Sequence, residues 1–211
     1  MRRILLTLLV AIIGAYAAWY GLNPYFEKKT PQPEPSNLSV ATELKVSKPL
    51  INFSLTDTDQ KTFTQNSLLG HWTLLFFGYT QCPEICPRTL TTLNEAWKLI
   101  PSHIREENAL RFVFISLDPD SDTVETVRAF LNRFNSNFIG LIGEESVIEA
   151  LSKASSIYYW QDPTVNKPGP KMIDHSATLL LINPQGRLQA LFSPPHEQKA
   201  IAEDLQKILT K

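Results

Sequence analysis

Cysteine is scarce in this chain, with only Cys82 and Cys86 among 211 residues. Two are too few for a disulfide-stapled scaffold, which shifts their reading from staple to chemistry. An excess of charge of either sign is also missing, since 20 Lys/Arg stand against 21 Asp/Glu. No Lys/Arg cluster with interleaved aromatics appears, so a nucleic-acid footprint is excluded. Internal repeats are absent as well. What remains is 43% hydrophobic, enough to bury one good core once the N-terminus is set aside, so a single globular domain is expected.

One long uncharged run exists, from Ile4 to Leu22 behind Met1-Arg2-Arg3. Its length suits a membrane span of roughly 20 residues. The arginines should stay in the cytoplasm and everything after Asn23 should lie outside, with Trp19, Tyr20, Tyr25 and Phe26 forming an interfacial belt. Ala15-Tyr16-Ala17 also fits a signal-cleavage pattern. The reading taken is a retained transmembrane anchor over residues 1–22, and either version exports the domain. The lack of an Arg- and Ser-rich transit segment points to a bacterial chain, held at the cytoplasmic (inner) membrane by a single pass, with its domain on the periplasmic side. Residues 23–46, with Pro24, Pro31, Pro33 and Pro35 among polar residues, read as an extended linker. The folded domain is expected over 47–211.

Within that domain Ile51–Leu55 alternates as a strand, and Lys61–Thr64 pairs back across a turn. Trp72–Phe77 is a continuous apolar run, the signature of a central buried strand. Leu90, Leu93, Trp97 and Ile100 mark an amphipathic helix, with Cys86 on its apolar stripe. Strands are expected over Phe112–Leu117 and Phe138–Leu141, with helices to about Phe134 (capped by Asp122 with Glu125) and over Glu145–Ala154. A hairpin joins Ser176–Ile182 to Arg187–Phe192 through Asn183-Pro184-Gln185-Gly186, and Ile201, Leu205 and Ile208 mark a last helix. The order fits an α/β fold of thioredoxin-like type, a central mixed sheet flanked by helices, with the cysteines at a strand-to-helix turn.

Cys82 and Cys86 lie in Gly78-Tyr79-Thr80-Gln81-Cys82-Pro83-Glu84-Ile85-Cys86-Pro87. Residues four apart share a helix face, so the two thiols can close a disulfide or chelate one soft metal ion. Pro83 suits a first helical position, which makes Cys82 the cap, exposed and acidified by the helix start. Cys86 should face the domain. Of four histidines, His71, His103 and His196 read as structural or solvated. His175, in Asp174-His175-Ser176, begins a core strand whose preceding loop should pack over the cysteine turn. It is either a satisfied strand-end histidine or the nitrogen of an S₂N set. Such a set suits Cu(I), tolerates Cu(II) and leaves zinc as competitor. Asp174 would then orient the ring or cap the strand end. Asp118 and Asp120 read as a turn and helix cap, Met172 as a packed loop residue rather than an extra ligand, and Tyr158, Tyr159 and Trp160 as a strand.

Together, Gly78-Tyr79-Thr80-x-Cys82-Pro83-x-x-Cys86-Pro87, Ser116-Leu117-Asp118-Pro119, Asp174-His175-Ser176 and Asn183-Pro184-x-Gly186 resemble the Sco/SenC family across about residues 47–211. Glu84 stands where that family commonly has aspartate, and Tyr79 where it often has phenylalanine. The resemblance implies a thioredoxin-like, membrane-tethered copper protein serving the binuclear copper centre of cytochrome c oxidase. It implies Cys82, Cys86 and His175 as copper ligands. The implied partners are the copper-centre subunit of the oxidase, a thioredoxin-like reductant and another copper chaperone. The alternative function is a thiol-disulfide reductase, in which Cys82 attacks, Cys86 resolves and the two end as a disulfide. That reading asks nothing of His175. A peroxidase reading is weakened because Thr80 is two rather than three residues before Cys82.

Overall fold

The computed structural model describes residues 11–19, 37–161 and 172–211. The chain divides into two units, Met1–Ser36 and Asn37–Lys211. In the first, residues 11–19 are helical, with Ile12, Ile13, Tyr16 and Trp19 exposed. Among the described residues no helix is long and apolar enough to cross a membrane. At 1.5 Å per residue this stretch reaches about 14 Å, under half of a bilayer's hydrocarbon core. The rest of the expected span, and residues 23–36 of the expected linker, lie outside the described residues.

The second unit is built on the apolar run predicted to be central. Thr73–Gly78 forms β4, and all six of its residues are buried, so both faces of the sheet are covered at this point. β4 pairs in parallel with β5 (Arg111–Ser116) over six residues, from Thr73 opposite Arg111 to Gly78 opposite Ser116. β5 pairs in parallel with β6 (Ile139–Ile142). The remaining strands are β1 (Ala41–Pro49), β2 (Ser54–Asp57), β3 (Thr62–Thr64), β9 (Leu179–Ile182) and β10 (Arg187–Phe192). The eight-stranded sheet runs β1-β10-β9-β4-β5-β6-β2-β3, with antiparallel pairs outside the β4-β5-β6 core. A separate two-stranded ribbon pairs β7 (Tyr159–Gln161) with β8 (Ile173–His175). The helices are α1 (Ile85–Leu99), α2 (Ser102–Glu107), α3 (Val124–Asn132), α4 (Glu145–Ala154) and α5 (Gln198–Leu209). α1 packs on α5 and α3 on β6. This is the mixed α/β, thioredoxin-like arrangement expected.

Three sequence expectations need correction. Residues 41–46, assigned to the linker, are the first part of β1 and pair with β10 from Ala41 opposite Phe192. They lack apolar periodicity because β1 is an edge strand with most side chains exposed. The cap of α3 is Thr123, whose side chain accepts the Thr126 N–H in a reciprocal box. Asp122 instead turns inward and is buried. Finally, the predicted core strand from Ser176 splits: His175 ends β8, and β9 begins only at Leu179.

A second buried carboxylate fastens the domain's entrance. Asp204 on α5 accepts the N–H groups of Ser39, Val40 and Ala41 at 2.8–2.9 Å. Lys207 lies 3.4 Å away. Burial would push this carboxyl up, but the backbone donors and Lys207 outweigh it and hold it below its ordinary value. Asp204→Ala strands three backbone donors, and with hydrogen bonds to charged groups worth about 1.5–3 kcal/mol a loss of about 3 kcal/mol is expected in urea unfolding. A carboxyl depressed on folding stabilises above its unfolded pKa. The gap between wild type and variant should therefore hold at neutral pH and narrow in acid.

Candidate metal centre

The site forms where β4 runs out. Gly78 is required there by close approach: a Cβ would sit 2.8 Å from both Cys86 Sγ and the Phe114 ring. The chain then turns, with the Cys82 N–H donating to the Tyr79 carbonyl at 3.4 Å. Helix α1 begins at Ile85 behind Glu84, which offers no side-chain cap. Pro83 is therefore outside the helix rather than at its first position. The capping role still falls to Cys82, because its sulfur accepts the Cys86 N–H at 3.3 Å. Cys86 is fully buried, as its place on the apolar stripe requires, and Cys82, expected at an exposed end, is only 9% exposed. Both are free thiols.

His175 comes from the β7-β8 ribbon. Its Nε2 lies 3.4 Å from Cys86 Sγ, and its Nδ1 lies 3.2 Å from the Ser176 carbonyl. A carbonyl only accepts, so Nδ1 carries the proton and the Nε2 lone pair faces the cysteines. Phe76 and Tyr79 wall the ring, each with centroids 6.0 Å away. The donor atoms of Cys82, Cys86 and His175 all lie within 4.8 Å of one another, and these three are the metal-competent group among the described residues. An ion bonded at about 2.0–2.3 Å to each needs the trio to close by an ångström or less. Soft sulfur with one imidazole is a donor set suited to copper.

The two thiols differ in protonation. The neighbouring Cys86 thiol, with help from His175 and the backbone N–H groups of Cys86 and Glu84, pulls Cys82 down to about 3 against the opposing effect of burial. The helix start was expected to acidify Cys82; the larger cause is the partner thiol. Cys86 is driven far upward by the neighbouring Cys82 sulfur and by burial. Burial likewise pushes the Tyr79 phenol up to about 12. At neutral pH the pair is thus one thiolate and one thiol. Loading one copper should release one thiol proton, so apparent affinity should rise about tenfold per pH unit between pH 7 and 8, by the proton linkage of thiolate ligation. Competition titrations at the two pH values check this, and a hundredfold rise would contradict it.

Other expected residues lie elsewhere. Asp174 is exposed, and the ring is oriented by the Ser176 carbonyl, so Asp174 does not do that work. Strand alternation puts Met172, 63% exposed, on the Asp174 side, away from the sulfurs. Tyr159 and Trp160 belong to β7, while Tyr158 precedes it; Trp160 and Tyr158 are exposed. Nδ1 of His71 meets the Ala109 carbonyl at 3.3 Å, His103 is exposed, and His196 donates from Nε2 to the Ala177 carbonyl at 2.6 Å. Asp118 is buried in the turn and Asp120 exposed, while the cap they were assigned belongs to Thr123.

Sequence reasoning missed the support behind the cysteine turn. Asp122 accepts the Thr80 N–H at 3.1 Å, the Thr80 hydroxyl at 2.5 Å and the Ser116 hydroxyl at 2.5 Å. This ties the turn to the end of β5. The signal for it was the β4-β5 register, which sets Gly78 beside Ser116 and is not visible in local spacing.

The SCO1/SenC family model matches residues 43–210. The human mitochondrial SCO1 homolog is 31% identical over 168 residues, covering 76% of this chain and 53% of that protein. A SCO2-like protein of Rickettsia prowazekii is 33% identical over 153 residues, covering 72% of each. The chain thus spans about half the length of the mitochondrial relative. Among solved structures, Arabidopsis thaliana ScoI with copper bound superposes with a TM-score of 0.68 at 31% identity, covering 76% of this chain and 98% of that one.

Proposed function

The chain belongs to the SCO1/SenC family, and from that premise we propose that it is a membrane-anchored copper chaperone. It holds one copper ion on Cys82, Cys86 and His175 and delivers it to the binuclear copper centre of cytochrome c oxidase. The observation that carries this reading is the convergence of two sulfurs and one imidazole nitrogen within 4.8 Å. The copper-bound plant relative supports the choice of metal.

Copper is cargo here, and the protonation of the site suits handover. Binding removes the Cys86 proton; release lets that deeply buried sulfur recover it, which favours departure once a recipient thiolate has entered. His175 is half-buried, and an imidazole ligand, unlike a thiolate, leaves the ion without needing a proton. Transfer then proceeds by exchange of one ligand at a time.

The anchor is the run 4–22 behind Arg2 and Arg3, with the domain on the periplasmic side of the bacterial inner membrane. Its support is the apolar sequence and the exposed apolar side chains of residues 11–19. Retention in the membrane fraction after alkaline carbonate washing, with Met1 or Arg2 as mature N-terminus, is the result expected.

A second reading is favoured by the thiolate-thiol pair. Cys82 attacks a disulfide in the recipient, forming a mixed disulfide as the recipient's other sulfur leaves as thiolate. Cys86 then attacks the Cys82 sulfur, forming Cys82–Cys86 and freeing the reduced recipient. Cys86 must shed its proton first, and Nε2 of His175 at 3.4 Å is placed to take it. His175 therefore bears on both readings, contrary to the sequence expectation that a reductase would not need it.

Anaerobic titration of the reduced protein with Cu(I) against a chromophoric chelator tests the chaperone reading. One tightly held equivalent is expected. Negligible binding would leave disulfide reduction as the function.

A further inference from the structure

A cavity of about 380 Å³ opens at the end of the sheet opposite the metal centre. β4 and β5 run in parallel from Thr73 and Arg111 to Gly78 and Ser116. Arg111 lines the cavity, whereas the cysteine turn follows Gly78, about 17 Å along the strands. The Arg111 Nε donates to the Thr73 hydroxyl at 3.0 Å and one Nη to the Ser67 carbonyl. Its guanidinium carbon lies 5.2 Å from the centre of the Phe63 ring. Both acceptors are neutral, and among the described residues no carboxylate pairs with this cation. A guanidinium has more N–H donors than these two bonds use. Burial alone pushes the group down to about 10. Arg128 and Lys61, by contrast, share Asp59, at 3.3 and 3.8 Å. Asp57 accepts the N–H groups of Asp59 and Lys61. Lys61, Arg111 and Arg128 against Asp57 and Asp59 leave the cavity a surplus of one positive charge. Phe63, Leu131, Phe138 and Ile139 supply its apolar wall.

We propose that this cavity is a second binding site, for a small organic acid whose single carboxylate pairs with the unused edge of the Arg111 guanidinium and whose apolar body lies against Phe138 and Ile139. The planar fork of a guanidinium matches the two oxygens of a carboxylate. One surplus charge suits a monoanion, and the carboxylates of Asp57 and Asp59 repel a dianion such as phosphate. The volume lies within the roughly 300–1,000 Å³ of small-molecule sites. The site is independent of the copper chemistry and stands whether or not the chaperone reading does.

Benzoate is the probe, titrated into the full chain in neutral detergent while NMR follows the Arg111 Nε–H and Ile139 methyl signals. Benzamide, of the same shape without the charge, is the control. Benzoate should shift both signals saturably, and benzamide should shift neither. Arg111→Lys keeps the charge and loses the fork, so benzoate should bind it about tenfold more weakly, read at Ile139. Asp59→Asn changes an exposed side chain, removes a repelling carboxylate and frees Arg128, so it should tighten benzoate several-fold. If Arg111→Lys does not fold, wild type against Asp59→Asn decides the claim. No saturable shift in wild type, benzamide binding as well as benzoate, or weaker binding by Asp59→Asn overturns the inference. Inorganic phosphate displacing benzoate at a lower concentration than benzoate itself requires would overturn the assignment to a carboxylate.

Discussion

His175→Ala should lower copper affinity several hundredfold. Structural four-ligand metal sites store about 10–16 kcal/mol, or about 3–4 kcal/mol per ligand, and each 1.4 kcal/mol is a factor of ten. The loss should be specific to the site. His175 is half-buried at the end of a two-stranded ribbon outside the main sheet, so the unfolding midpoint should move little. The same variant should slow resolution of a mixed disulfide on Cys82, because Cys86 loses the acceptor 3.4 Å away. Chelator competition and quenched-flow trapping of the mixed disulfide check the two effects. An unchanged copper affinity would remove His175 from the ligand set.

Asp122→Ala has the largest expected effect on stability. Its carboxylate receives three donors, from Thr80 and Ser116, in a buried setting. Each donor left unsatisfied costs about 1–3 kcal/mol, so a loss of about 3–5 kcal/mol is expected in urea unfolding. Asp122→Asn, which keeps an acceptor oxygen, should lose less. Since these bonds hold the cysteine turn to the end of β5, copper affinity should also fall by about 10–100-fold, the usual consequence of removing a group that orients ligands. A variant as stable as wild type would show that the network does not hold the turn.

The elements legible in the sequence were those written in a local pattern. Trp72–Phe77 announced β4 because a strand buried on both faces is continuously apolar, and the spacing of Leu90 and Leu93 announced α1 and placed Cys86 on its inner face. The identities of Cys82, Cys86 and His175 as candidates came from residue types and motif resemblance. Their meeting did not, because 89 residues separate Cys86 from His175 and only the ribbon geometry brings them together. Asp122 was misassigned for a related reason: an aspartate just before a helix has the local signature of a cap, and the partners that claim it, Thr80 and Ser116, come from other parts of the chain. β1 was lost in the linker because an exposed edge strand carries no apolar alternation. Asp174 was credited with orienting His175 by adjacency alone, yet adjacent residues on a strand point to opposite sides.

X-ray absorption at the copper edge, on protein loaded anaerobically with one equivalent of Cu(I), bears most directly on the three-ligand site. The account predicts two sulfur neighbours and one imidazole nitrogen around each ion. A first shell of sulfur alone, or of nitrogen and oxygen alone, would contradict it.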